Sequence, residues 1–136
     1  MAKYAAFGTK ILRGAVEIPQ VLSISGPSPT MDTIDVTTHD SVDGWEEILP
    51  STLRSGEVTF DVVYDPALTA FKYASGGIPY DMVNRTKSTW TITLPTSPAK
   101  SWVFPAYVTG FELQAPVEDK LSVSVTLRVA GAITIP

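Results

Sequence analysis

A chain of 136 residues with ten Lys and Arg, fourteen Asp and Glu and no cysteine is the size of one domain. The missing thiols exclude disulfides and thiolate metal sites, and a net charge of −4 argues against a nucleic-acid-binding surface. Nowhere do about 18 apolar residues follow one another, so no segment is expected to span a membrane. Gly8, Thr9, Lys10 and Arg13 interrupt the amino-terminal residues too early for a signal peptide.

Short candidate strands come first, at Lys10 to Leu12 and Gln20 to Ser25, followed by the turn residues Gly26-Pro27-Ser28-Pro29. Ile34 and Val36 then alternate with Asp35 and Thr37. From His39 to Ser55 strand periodicity is lost, and this stretch is expected to be a long loop. It holds Trp45 and the pair Ile48-Leu49, apolar groups suited to packing against a partner. Glu57 to Tyr64 alternates again, with Val58, Phe60, Val62 and Tyr64 on one face. Asp65-Pro66 resembles a helix start, Leu68, Phe71 and Lys72 follow at helical spacing, and Gly76-Gly77 provide a stop. A helix of three turns at most is expected there.

Thr89 to Leu94 alternates without a fault and puts Trp90 in the core. Trp102 to Glu112 is a weaker strand in which Pro105 marks an edge or a bulge. Last, Leu121, Val123, Val125, Leu127 and Val129 alternate with Ser122, Ser124, Thr126 and Arg128. Period-two patterning throughout predicts a mainly β, single-domain antiparallel sandwich or barrel with one flanking short helix, spanning residues 1–136.

The polar faces of these strands share one composition. Asp35, Thr37, Glu57, Thr59, Asp61, Thr91, Thr93, Ser122, Ser124 and Thr126 are short hydroxyl or acidic residues, with no lysine among them. Edge lysines normally block strand-to-strand association, so these strands look able to pair with a neighbouring molecule. A plain solvated β-sandwich exterior would show the same residues. Charge is also unevenly placed. Residues 31–65 hold nine acids against one base, Arg54, and carry −8, while the remainder carries +4. Such a split can draw copies together head to tail, or can simply solvate one surface.

No catalytic constellation emerges. His39 is the one histidine, too few for a zinc site without cysteine. His39, Asp40 and Ser41 are consecutive, whereas catalytic triads converge from separate segments. Asp32, Asp35, Asp40 and Asp43 lack the spacing of a calcium loop, and Gly76-Gly77 lack the Lys-Ser/Thr of a phosphate loop. No cofactor is expected.

Several segments in order resemble the major tail tube proteins of long-tailed bacteriophages. They are Met31-Asp32-Thr33-Ile34-Asp35-Val36-Thr37-Thr38-His39-Asp40-Ser41, Gly44-Trp45-Glu46-Glu47-Ile48-Leu49-Pro50, Ser55-Gly56-Glu57-Val58-Thr59-Phe60-Asp61 and Tyr64-Asp65-Pro66. The resemblance implies a structural, non-enzymatic virion protein of the tail, assembled in the host cytoplasm. Six copies would form a ring, each lending strands to a continuous inner β-barrel, and rings would stack into a tube. The implied partners are further copies of the chain, a tape measure protein in the lumen, tail terminator and distal tail or baseplate proteins, and DNA passing without specific binding.

In that setting the ten hydroxyl and acidic residues are candidates for the lumen, because a negative wall repels phosphates. Arg128 fits there only if it pairs with an acid such as Asp61 or lies at the rim. The 39–55 segment, with His39, Asp40, Asp43, Trp45, Glu46, Glu47, Ile48, Leu49 and Arg54, is the candidate contact between subunits or rings. Two alternatives are the inner tube of a contractile tail or type VI-like secretion apparatus, and a carbohydrate-binding β-sandwich using Trp45.

Overall fold

A computed structural model describes residues 3–136. The strands are β1 (Lys10–Arg13), β2 (Val16–Glu17), β3 (Val21–Ser25), β4 (Thr30–Asp35), β5 (Ile48–Arg54), β6 (Glu57–Val63), β7 (Lys87–Leu94), β8 (Lys100–Gln114) and β9 (Ser122–Val129). One α-helix, α1 (Ile78–Val83), precedes β7. Seven strands form an antiparallel sheet in the order β2-β1-β7-β8-β9-β6-β3, while β4 and β5 pair only with each other.

β8 is the spine of the large sheet. Its first half, Lys100 to Tyr107, pairs with β7, and its second half, Ala106 to Gln114, pairs with β9. The sheet is therefore strongly staggered, and it rolls over on itself. Phe60 on β6 and Trp90 on β7 are three strands apart in the sheet, yet their rings lie 6.0 Å apart. β1 and β3, from opposite ends of the strand order, also touch. Stagger of this kind is what closing a sheet requires.

The alternation explains the core. Val58, Phe60 and Val62 of β6, Trp90 and Ile92 of β7, and Val123, Val125 and Leu127 of β9 point inward and form one cluster with Ile11, Phe71 and Phe104. Trp90 is fully buried, as its position between Thr89 and Thr91 predicts, and Trp102 packs partly buried against the same cluster.

Two expectations need correction. The helix does not follow Asp65-Pro66. There the Asp65 carboxylate accepts the N–H of Ala67 at 3.0 Å, making a tight turn, and a single 3-10 turn at Thr69–Phe71 brings Ala70 and Phe71 inward. The α-helix starts where the stop was expected, with Gly77 as its extended N-cap and Pro79 in its first turn. Pro at the start of a helix is preorganised, a cue that Gly76-Gly77 masked.

Pro105, expected on an edge or bulge, lies inside the sheet between β7 and β9. Its missing donor falls just past the β9 ladder, whose last pair is Ala106 with Val129, and its carbonyl accepts the N–H of Ala130 at 2.9 Å. The irregularity in β8 comes later, between Val108 and Gly110.

A buried ion pair ties α1 to the sheet. The Arg13 guanidinium on β1 donates to both carboxylate oxygens of Asp81, at 2.8 Å for Nη2–Oδ1, and Asp81 is only 3% exposed. Breaking such a pair leaves an uncompensated buried charge, whereas exposed pairs contribute little. Asp81→Ala should therefore lower unfolding free energy in urea by about 3 kcal/mol. Arg54→Ala, which removes the exposed pair with Asp32, should cost less than about 1 kcal/mol. Equal losses would show that the Arg13–Asp81 contact is not the anchor of the helix.

Candidate functional site

The segment expected to be a loop is an arm. β4 and β5 form a two-stranded ribbon with register Met31–Leu53, Ile34–Leu49 and Asp35–Ile48, and a bulge between Met31 and Thr33. Strand pairing was hidden in the sequence because β5 is exposed along its whole length, so no burial alternation marks it. The extra residue of the bulge lies on β5, so Met31, Leu53 and Ile48 share one face of the ribbon while Ile34 and Leu49 lie on the other. All five are half exposed or more, Leu53 at 77%. At the tip a short 3-10 turn (Val42–Gly44) presents Val42 and Trp45, with Trp45 75% exposed. The arm therefore exposes apolar side chains on both of its faces and at its tip.

The arm leaves the barrel through a narrow root. Gly26 and Gly56 have φ of +93° and +78°, and a Cβ on them would come within 2.4 Å of the Glu57 carbonyl and 2.8 Å of the Ser28 carbonyl. Both positions need glycine for conformation and for close approach.

Of the expected contact residues, Ile48, Leu49 and Arg54 lie on β5, and His39, Asp40, Asp43, Trp45, Glu46 and Glu47 lie in the connection between the two strands. The residues that invited thoughts of chemistry are local turn-formers. Ser41 Oγ accepts the N–H of Thr38 at 3.0 Å, and Thr38 Oγ1 accepts that of Asp40 at 3.2 Å. Asp32 is bound to Arg54 at 2.8 Å, and Asp35 accepts the N–H of Thr37 at 2.9 Å. Among the described residues no three His, Asp or Glu come together as a metal site would require.

The hydroxyl and acidic residues divide between places. Asp35 and Thr37 sit on the arm, away from the other eight. Thr91 and Thr93 lie on β7 beside the first half of β8, with Thr93 and Ser101 hydroxyls 3.4 Å apart. Glu57, Thr59, Asp61, Ser122, Ser124 and Thr126 do form one surface. In register they run Ser25–Thr59–Thr126–Gly110 and Ser23–Asp61–Ser124–Glu112 across β3, β6, β9 and β8. Ser23 Oγ donates to Asp61 Oδ2 at 3.3 Å. Arg128 pairs with Glu57 at 3.2 Å, not with Asp61, at the end of the β6–β9 ladder. The only carboxylates on these rows, Asp61 and Glu112, have no ion partner among the described residues.

Sequence reasoning missed two features. Met31 and Leu53 form a cross-strand pair on the arm face opposite Ile34 and Leu49, and the spacing of the pair about the bulge could not be read without register. β3 has β6 on one side and no strand on the other, and beyond Tyr107 β8 has β9 on one side only. These two unpaired margins bound the four-stranded part of the sheet that carries the polar rows.

No protein-family model and no curated protein matches the chain. Solved structures match its fold. A chain in the virion of a native gene transfer agent particle superposes with a TM-score of 0.77 at 16% identity, covering 98% of this chain and 99% of that one. A chain of the extracellular contractile injection system PVC, from its sheath/tube terminator in the extended state, gives 0.76 at 20% identity over 100% and 98%. The SPP1 tail tube gives 0.62 at 13% identity over 94% and 77%. At these identities the fold is what is shared.

The arm turn has a pH signature. Thr37, through its hydroxyl first and its N–H second, holds the Asp35 carboxyl below the ordinary carboxylate value. A lowered folded value means the turn is fully supported above the ordinary value and loosens as pH falls through the lowered one. The Thr37 amide resonance should therefore stay constant down to about pH 4 and shift only below it. Asp35→Ala should abolish that shift. A midpoint at the ordinary aspartate value would show that the contact is absent in solution.

Proposed function

We propose that this chain is a tail tube subunit that polymerises as stacked hexameric rings into a tube whose acidic lumen conducts DNA. The observation that carries the proposal is the β4–β5 arm, which pairs with no other strand and leaves Met31, Ile34, Leu49, Leu53 and Trp45 half exposed or more. A two-stranded ribbon is marginal in water by itself, so its burial partner is another copy. The two unpaired margins supply the second contact. The free side of β3 on one copy pairs with the second half of β8 on the next, which continues the β3-β6-β9-β8 sheet around a ring and leaves no edge.

The surface that then lines the bore carries Thr59, Asp61, Ser122, Ser124 and Thr126. Short hydroxyls and unpaired carboxylates repel phosphates and offer DNA no cation to hold it. A tape measure protein would occupy this bore before DNA, and terminator and distal tail or baseplate proteins would cover the two tube ends. The likeness in fold to the SPP1 tail tube and to a gene transfer agent virion chain supports this setting. The similar likeness to contractile injection system chains favours a second reading, the inner tube of a contractile apparatus. Binding of a sheath protein to the outside of the assembled tube separates the two.

Electron microscopy and sedimentation of the purified protein test the proposal. Tubes with a central channel are expected. Trp45→Ala should abolish sedimenting tubes while leaving the thermal midpoint of the monomer unchanged, because Trp45 buries little in its own chain. Leu22→Lys, on the exposed β3 margin, should also block growth by charging the edge. Persistent monomers in every condition, with no copies in particles, would overturn the proposal.

A further inference from the structure

The unpaired charges of the folded chain are sorted by place. On the outer part of the arm, Asp35, Asp40, Asp43, Glu46 and Glu47 make no ion pair among the described residues, and the arm's one base, Arg54, is already bound to Asp32. In the stretch from Lys72 to Lys87 the opposite holds. Lys72, Arg85 and Lys87 are exposed and make no ion pair among the described residues. The single acid of that stretch, Asp81, is buried against Arg13. In sequence the cations flank the apolar residues of α1 and of the turn before it. Tyr73 and Tyr80 stack edge to face with ring centres 5.6 Å apart, and Tyr73 and Val83 are more than half exposed.

We infer that the α1 face of one copy is the receiving surface for the arm tip of a second copy. The inference rests on the tube proposal and deepens it by naming the surface that covers the arm. The match is one of charge and of shape class. Five carboxylates meet three cations, and the exposed indole of Trp45 meets the exposed ring of Tyr73 with Arg85 able to stack on either ring. Like charges forbid the competing arm-to-arm contact, because it would set acidic tips against each other. The contact is heterologous, since the two surfaces differ, so it joins copies in a directed series instead of closing a pair. Electrostatic steering should make association fall as salt rises.

The absence of cysteine in the chain makes the test clean. Trp45→Cys protein is mixed with an equal amount of Tyr73→Cys protein under a mild oxidant. Trp45→Cys mixed with Lys120→Cys, an exposed position on the β8–β9 connection, is the control. The expected result is a 45–73 cross-linked dimer in clear excess over the control and diminished in high salt. Lys72→Glu, Arg85→Glu and Lys87→Glu together on the Tyr73→Cys chain should abolish it. Asp40→Lys, Asp43→Lys and Glu46→Lys on the Trp45→Cys chain should restore it. Circular dichroism checks folding, and if the reversed chains unfold, the salt dependence of the two single-cysteine proteins decides. A 45–73 yield no higher than the control overturns the inference. Tubes formed by the unsubstituted protein, with no 45–73 cross-link above the control, overturn it and leave the tube proposal standing, whereas the cross-link with no tubes from the unsubstituted protein supports the docking and overturns the tube.

Discussion

A two-stranded ribbon has two faces and nothing to put behind either of them. In a larger sheet the interior face is covered by other strands or by a helix, and that burial supplies the free energy that offsets chain ordering. Here β4 and β5 stand apart from the seven-stranded sheet, and apolar side chains on both faces are left half exposed or more. The barrel has no such need. Its core is complete, with Trp90, Phe60, Phe104 and the valines of β6 and β9 fully enclosed. The chain is thus a finished barrel joined to an arm whose own burial is unfinished.

The large sheet repeats this division in a milder form. Where β7, β8 and β9 overlap, the backbone is satisfied on both sides. Where β8 runs on past Tyr107, and along β3, it is not. The strands between those margins have the most uniform polar face in the molecule, built from hydroxyls and two unpaired carboxylates. Local rules are broken in the same region: no lysine guards the β3 margin, and no arginine crosses the face except Arg128, which Glu57 holds at its end. Departures from the usual protection of sheet edges mark places where function is expected.

Much of the barrel is legible from sequence because its strands are half-buried. β6, β7 and β9 alternate, and their inward residues form the core just as the period predicts. β5 is not legible for the complementary physical reason: with both faces exposed, Ile48 to Arg54 has no alternation to read. The helix is misplaced because two signals compete within a dozen residues. Asp65-Pro66 and Gly76-Gly77 look like a start and a stop, yet the first makes a turn and the second an N-cap. Composition singled out the polar residues, but register was needed to show that Asp35 and Thr37 belong to the arm and Thr91 and Thr93 to another part of the sheet. The free cations around α1 were in plain view as residues and meant nothing until Asp81 was seen to be taken by Arg13.

The root of the arm has a mechanical consequence. Gly26 and Gly56 bring two backbones together with no side chains wedged between them, so the ribbon can tilt by small changes in φ and ψ while the valine and tryptophan interior stays rigid. Hinges of this sort absorb rotation at a few positions. In the proposed tube the seams between copies would then bend at this root, and stiffness would be set by two glycines and not by the packed domains they connect.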